Sequence, residues 1–384
     1  MTDIGTESRF EIKVIPAQVT AIEHRQHKYA CRPCDKKEIN TPVKKAKAVP
    51  GLIAKSLASP SAIAYMMHQK YVNYMPLYRQ ESDFKRMGIA LTRQVMANWV
   101  IKGAEKLKPL YYTMKDELLS KSHLHTDDTK VQVLSEPGRE PQTKSFMWLY
   151  STCKHDVPIY IYEYTQGRGA VFPQKFFGDY EGVCHADCYI GYDKLAPKIL
   201  VSACWSHARR KYTDAIEAMK EKDPNCVAAI GVKYCDALFN IEREIENKTP
   251  EIIYETRQER SIPIVKEYFA WVAKEHPHIL SGTLTGKALQ YSINQKEKLM
   301  RFLEYGRLEI SNNRAERAIK PFVQARKNFL FCETPAGAHS SAIIFSLIET
   351  AKANSLRPFH YLTFIFEKIQ YGELTEETAS RFLP

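Results

Sequence analysis

Residues 124–134 read LHTDDTKVQVL, and side chains that alternate in character along them mark a strand with one buried face. The neighbouring segments set a sheet around it. Residues 135–142 (SEPGREPQ) carry two prolines and a glycine and turn the chain, residues 145–151 (SFMWLYS) read as a second strand, and residues 158–165 (PIYIYEYT) as a third. Strands joined by connections this short form an antiparallel meander. Residues 182–188 (GVCHADC) and 198–205 (KILVSACW) read as two more strands, each followed by a helical or irregular segment, which is how strands join a sheet in parallel. The expected fold is α/β, with a five-stranded mixed sheet and helices.

Beyond the sheet, residues 206–305 are helical in pattern, with breaks expected at 247–250, 261–263 and 276–278. Upstream, residues 9–31 alternate imperfectly and contain Pro16, and they lead into Cys31-Arg32-Pro33-Cys34. Such a pair is half of a zinc ribbon, because tetrahedral zinc takes four ligands. The second pair is absent, and His24 and His27, three apart on a strand, point to opposite faces. A complete zinc site is therefore not expected. Residues 38–60 carry three prolines and the cluster Lys44-Lys45-Ala46-Lys47, and they read as a basic linker.

A helical pattern starts at Ser61 and is interrupted at Pro76. Residues 77–87 form a helix, Gly88 begins a tight turn, and Thr92 stands as N-cap of a second helix bearing Arg93, Gln94 and Asn98. Two readings fit: a helix-turn-helix whose second helix enters the major groove, or a plain helical hairpin. The basic setting favours DNA.

Charge supports that division. Of the net +11 on 384 residues, +10 lies on residues 1–123, leaving +1 for the rest. A sequence-independent hold on an anionic partner belongs to the first third, and the remainder must work through placed residues. A hydrophobic content of 44% with 22 Tyr and 17 Phe excludes a disordered chain. No apolar run reaches the ~20 residues of a membrane span, and nine scattered cysteines suit a reducing compartment. The expectation is a soluble, cytoplasmic protein with no membrane partner.

Three acids stand out by position. Asp127 lies on the first strand, Asp187 ends the fourth, and Glu316 follows Ser311 and Asn312, either of which suits a helix cap. Any one alone reads as a solvated or capping residue. Brought together they would repel, and divalent cations with hard oxygen ligands would relieve that repulsion. Cys204 and His207 have a CxxH spacing but no second pair close by in sequence, so no metal is expected on them.

The order Asp, Asp, Glu on a five-stranded mixed sheet resembles the ribonuclease-H-like core of DDE transposases and integrases. More narrowly, the chain resembles transposases of the insertion-sequence-66 type. Five blocks carry the likeness: 124–134, Trp148-Leu149-Tyr150, Asp187-Cys188-Tyr189-Ile190-Gly191-Tyr192, residues 203–211 (ACWSHARRK) and residues 311–321 (SNNRAERAIKP). The resemblance implies that Asp127, Asp187 and Glu316 are the catalytic carboxylates and hold two Mg²⁺ ions, with Mn²⁺ as a substitute. Asp128, where the family often has Glu, is the lesser candidate ligand. Separations of 60 and 129 residues imply a helical insertion, at about 213–305, before the Glu helix.

The resemblance also implies a layout. Residues 1–40 are a partial zinc-ribbon-like segment and 41–60 the linker. Residues 61–122 are the helical DNA-binding region, 123–340 the catalytic domain and 341–384 a C-terminal helical region that packs. His207, Arg209, Arg210, Arg317 and Lys320 are candidate phosphate contacts, with a solvated basic face as the alternative. The partners implied are the element's terminal repeats and target DNA, further copies of the chain, and accessory proteins of the same element, in the bacterial nucleoid. Family members usually carry a longer N-terminus and two CxxC pairs, so this chain reads as N-terminally truncated. The competing reading is a non-catalytic DNA-binding remnant that regulates transposition.

Overall fold

The computed structural model describes residues 7–14, 17–36, 43–195 and 197–384. The chain start, Pro16 and the first residues of the expected linker, 37–42, lie outside the described residues. Strand β1 (Lys28–Ala30) leads into a short helix α1 (Arg32–Asp35), and β2 (Val43–Lys45) returns antiparallel to β1 with Lys28 opposite Lys45. The lysines read as solvated linker are thus partly strand. Three residues are too few to display a period.

Helices α2 (Pro60–Tyr71), α3 (Leu77–Arg86), α4 (Arg93–Lys106) and α5 (Lys108–Leu119) follow. Between α3 and α4 the chain turns at Gly88, whose φ of +83° is a conformation that favours glycine. Thr92 caps α4 by accepting the Val95 N–H at 3.4 Å. Met96, Trp99 and Val100 of α4 are buried, which leaves Arg93, Gln94 and Asn98 exposed on its outer side.

The sheet is built from β3 (His123–Gln132), β4 (Lys144–Thr152), β5 (Tyr160–Thr165), β6 (Gly182–Ala186) and β7 (Ile199–Ala203), with α6 (Val171–Phe177) between β5 and β6. Its order is β5-β4-β3-β6-β7. The three strands of the meander pair antiparallel, whereas β6 and β7 join in parallel, so β3 and β6 are central neighbours. Alternation along β3 assigns its faces. His125 and Thr129 meet Asn312 and Arg326 on one face, while Thr126 and Asp128 meet Tyr192 and Arg168 on the other. Asp187 lies one residue beyond β6 rather than at its end, and Trp205 opens a helix rather than closing β7.

The helices after β7 are α7 (Trp205–Glu217), α8 (Val227–Glu244), α9 (Pro250–Thr256), α10 (Ile262–Glu275), α11 (Leu284–Asn294) and α12 (Lys296–Met300). The break expected at 261–263 is not one. A π turn at Arg257–Ser261 joins α9 to α10, and Pro263 falls in the first turn of α10, where its missing N–H leaves no bond unmade. These helices enclose a second core around Trp205, Tyr212, Tyr268 and Phe302, which reaches the sheet at Val183 and Ala203. The last helices are α13 (Asn313–Phe329), α14 (Pro335–Ala353) and α15 (Pro358–Gln370). On α14, Phe345 packs against Tyr162 of β5, and on α15 Leu362, Ile365 and Phe366 are buried.

Arg257 anchors the π turn. Its side chain is 2% exposed and forks onto both Glu242 oxygens at 2.8 and 2.6 Å. Its Nη1 donates to the carbonyls of Phe302, Tyr305 and Leu308 at 2.8–2.9 Å. One guanidinium therefore fixes the irregular segment that delivers the chain to α13. Replacing Arg257 with Met leaves Glu242 and three carbonyls without their donor. Urea unfolding should show a loss of about 3–5 kcal/mol, and a change near zero would mean that the segment is held elsewhere.

Candidate active site

The carboxylates come from three separate stretches, and Asn312 draws two of them, β3 and the start of α13, together. It occupies the N-cap position of α13, as its residue type suggests, yet its side chain makes no cap bond. It turns inward instead. Its Oδ1 meets His125 Nδ1 at 2.8 Å, its Nδ2 donates to the Thr126 carbonyl at 2.7 Å, and its N–H donates to Cys204 Sγ at 3.1 Å. The first turn of α13, carrying Glu316, is thereby fixed to β3 beside Asp127 and to the start of α7. Trp205 adds an N–H bond to the Ile310 carbonyl at 3.1 Å.

Around Asn312 one buried imidazole is paired and its neighbour is not: among the described residues both ring nitrogens of His185 lack a hydrogen-bond partner. His125 Nε2 lies 3.0 Å from Glu309, which Arg314 also holds at 2.9 Å. Burial alone would push the His125 imidazole down, but Cys153 and Glu309 outweigh it and lift it to about 10. Glu309 is correspondingly held well below the usual carboxylate range: burial opposes this, and His125 and Arg314 prevail. His185 stacks on His125 with centroids 5.1 Å apart, and burial keeps it neutral, far below its ordinary value.

Asp127 sits on the face of β3 that α13 covers. Its Oδ1 accepts the Asp128 N–H at 2.9 Å. Burial pushes its carboxyl up to about 7, the Asp128 N–H opposes this, and the charges of Asp128, Asp187 and Glu316 add to the rise. Asp127, Asp187 and Glu316 thus act on one another through charge, but among the described residues they do not bring ligand atoms within 4.8 Å of one another. Glu316 Oε1 is buried with no hydrogen-bond partner; His207 Nδ1 at 3.6 Å and Arg210 at 3.5 Å from the other oxygen are too long for strong bonds. The site is thus a set of hard oxygen donors with excess negative charge and an orphaned carboxylate oxygen. That donor set fits Mg²⁺ or Mn²⁺.

Cys204, His207 and Glu316 each bring one ligand atom within 4.8 Å of the others, so the third ligand missing from the local sequence is supplied in space. The Cys204 thiol is nevertheless engaged by Asn312, and burial raises it above its ordinary value, so it offers no thiolate near neutral pH. At the N-terminus, Cys31 and Cys34 face each other, and among the described residues no third His, Cys, Asp or Glu joins them. Two thiols alone do not fit a tetrahedral zinc site.

Comparison with known proteins bears directly on this arrangement. Residues 55–340 match the family described as Transposase IS66 family. The chain belongs to this family. Residues 1–35 match the zinc-finger binding domain of transposase IS66, and residues 346–384 the IS66 C-terminal element. Among curated relatives, the uncharacterized protein y4qI of Sinorhizobium fredii is 29% identical over 384 residues, covering 96% of this chain and 69% of its own. Another, the uncharacterized protein y4jD of the same organism, is 27% identical over 394 residues, covering 99% of this chain and 75% of its own. A transposase family with a zinc-finger domain implies DNA as the partner. Among the described residues no helix is long and apolar enough to cross a membrane.

Against that family background, the remaining candidates fall in different places. His207 and Arg210 flank Glu316, and Arg317 and Lys320 are exposed on α13. Arg209 is turned away from the acids, into a two-bond pair with Asp236 of α8. The sequence reading missed Arg168. It lies in Gly167-Arg168-Gly169 and joins Asp128 to Asp187, at 2.8 and 2.9 Å. A lone arginine between two glycines was the only signal.

The raised Asp127 carboxyl has a thermodynamic sign. Native protein keeps this proton up to about pH 7, whereas the unfolded chain releases it near ~3.9, so without divalent cations stability falls as pH rises across that window. In EDTA above pH 7, Asp127→Asn should unfold at higher urea than the parent, by on the order of 1–3 kcal/mol. The difference should vanish near pH 4. Equal midpoints at both pH values would contradict the raised Asp127 carboxyl.

Proposed function

We propose that the chain is a DDE transposase that cuts DNA at the ends of its mobile element and joins the freed 3′ hydroxyl to target DNA. The observation that carries this reading is the match of residues 55–340 to the Transposase IS66 family, with Asp127 on β3, Asp187 just past its neighbour β6 and Glu316 on the helix that Asn312 ties to β3. The sheet order, with an antiparallel meander continued by two parallel strands, supports a ribonuclease-H-like core. Asp127, Asp187 and Glu316 would hold two Mg²⁺ ions, or Mn²⁺ in their place. Bound there, such ions supply the positive charge that activates an attacking oxygen and stabilises a leaving one at phosphorus.

The protein's own residues do the holding. Arg210 and His207 stand beside Glu316, where a scissile or flanking phosphate would approach, and Arg317 and Lys320 extend the same basic side along α13. On α4, Arg93, Gln94 and Asn98 have their buried neighbours on the opposite side and are free to meet base edges. In this reading the basic first third holds the terminal repeat and the near-neutral remainder cuts. The active form is a homo-oligomer on paired element ends, working with accessory proteins of the same element in the cytoplasm and nucleoid.

Strand transfer on terminal-repeat DNA with Mg²⁺ tests the reading. Asp127→Ala, Asp187→Ala and Glu316→Ala should each lower joining by at least ~10²-fold while leaving DNA affinity intact. Undiminished joining by Asp187→Ala would sink the assignment. Sequence-specific binding with no cation-dependent cleavage would instead support a non-catalytic regulator. Separately, Arg93→Ala and Asn98→Ala should each weaken terminal-repeat binding by about 1–3 kcal/mol and relax sequence preference. Equal losses on unrelated DNA would reassign α4 to phosphate contact.

A further inference from the structure

Two adjacent aspartates on one strand cannot serve one site in the same way, because successive side chains point to opposite faces. Asp127 faces α13. Asp128 lies on the other face, near Thr126 and Tyr192, with its side chain 5% exposed. From there it receives the Arg168 Nε at 2.8 Å, while Arg168 Nη2 reaches Asp187 Oδ2 at 2.9 Å.

Asp187 needs such support. It stands one residue past β6, ahead of Cys188 with φ +65°, so no strand ladder fixes its carboxylate. Its Oδ1 accepts the Tyr189 N–H at 3.0 Å, and its Oδ2 accepts Arg168. An ionised carboxylate has about four lone-pair sites, so two remain free for a cation while these two bonds set the plane and tilt. Arg168 is itself seated, with its guanidinium 3.9 Å from the centre of the Tyr189 ring. That ring lies where a side chain on Gly191 would put its Cβ 2.3 Å from Tyr189 Cε1, so glycine at 191 makes the seat.

We propose that Asp128 and Arg168 are positioning residues that orient Asp187 for divalent-cation binding from the opposite face of the sheet. This rests on the reading of Asp127, Asp187 and Glu316 as the cation site. A planar fork spans two carboxylates at fixed separation, and a lysine ammonium does not. Charge and geometry predict opposite signs. If Arg168 were only a cation competing for Asp187, its removal would tighten cation binding. As a strut, its removal loosens it.

Mn²⁺ binding to the full chain, read by electron paramagnetic resonance of the free ion, separates the two. Arg168→Gln, Arg168→Lys and Asp128→Asn should each weaken Mn²⁺ about tenfold, the lower end of what outer-shell partners contribute. Arg168→Gln combined with Asp128→Asn should be no weaker than either alone, because both remove one device. Strand joining by Arg168→Lys should recover when Mn²⁺ is raised about tenfold, which a merely structural defect would not do. Tighter binding by Arg168→Gln, parental affinity in Arg168→Lys, or no recovery at high Mn²⁺ would each overturn the proposal. Asp127→Asn and Asp187→Asn serve as references. If they bind Mn²⁺ like the parent, the cation site itself is wrong. If they lose it while the Arg168 variants keep it, the positioning role alone fails.

Discussion

A buried amide, that of Asn312, is the constraint on which the site depends. It ties an imidazole and a carbonyl of β3 to the start of α13, and its backbone N–H reaches the Cys204 thiol between β7 and α7. Each polar atom of this side chain is buried, so each must be matched or leave an unpaired group at a cost of about 1–3 kcal/mol. That requirement makes the join specific: a residue with only a donor or only an acceptor could not satisfy both strand partners. The helix then has one seating, and Glu316, one turn along, has one place to be.

Repulsion shapes what surrounds this join. Five acids gather around β3, β6 and the start of α13, and the protein offsets them unequally. Asp128 and Asp187 share a guanidinium, and Glu309 is taken by Arg314 and His125. Among the described residues, Asp127 receives a backbone N–H and no side-chain cation, and Glu316 has only two distant ones. Asp127 and Glu316 are therefore the least compensated of the five. Elsewhere the same chain satisfies a buried cation fully, as Arg257 shows with five bonds. The contrast marks the acid site as the place where structure gives up stability.

Much of this was readable from residues alone. The sheet strands announced themselves by period two and by turn residues between them, and the order of the acids followed from blocks such as 124–134 and 311–321. What stayed hidden were features set by register and by space. Arg168 meets Asp128 and Asp187, 40 and 19 residues away, only because β3 and β6 are neighbours in the sheet. Asn312 was recognisable as a helix start, but a cap bond and an inward bond demand the same residue type. The π turn at 257–261 leaves no sequence mark, since its anchor lies where one arginine finds its partners. The ribbon strand at 43–45 is too short to have a period.

The route by which Glu316 arrives has a consequence for the order in which the molecule is made. Asp127 and Asp187 leave the ribosome early, but the segment that carries the Glu helix is held by Arg257 and Trp205, which belong to helices translated later. Contacts of such long sequence separation form late in folding. A growing chain that has not yet passed Asn312 lacks both the third acid and the amide that seats it. The acid cluster thus comes into being only after Asn312 has been made, when the basic residues 1–123 have had time to fold. A transposase-family chain made in this order has its basic helices before its acids can meet.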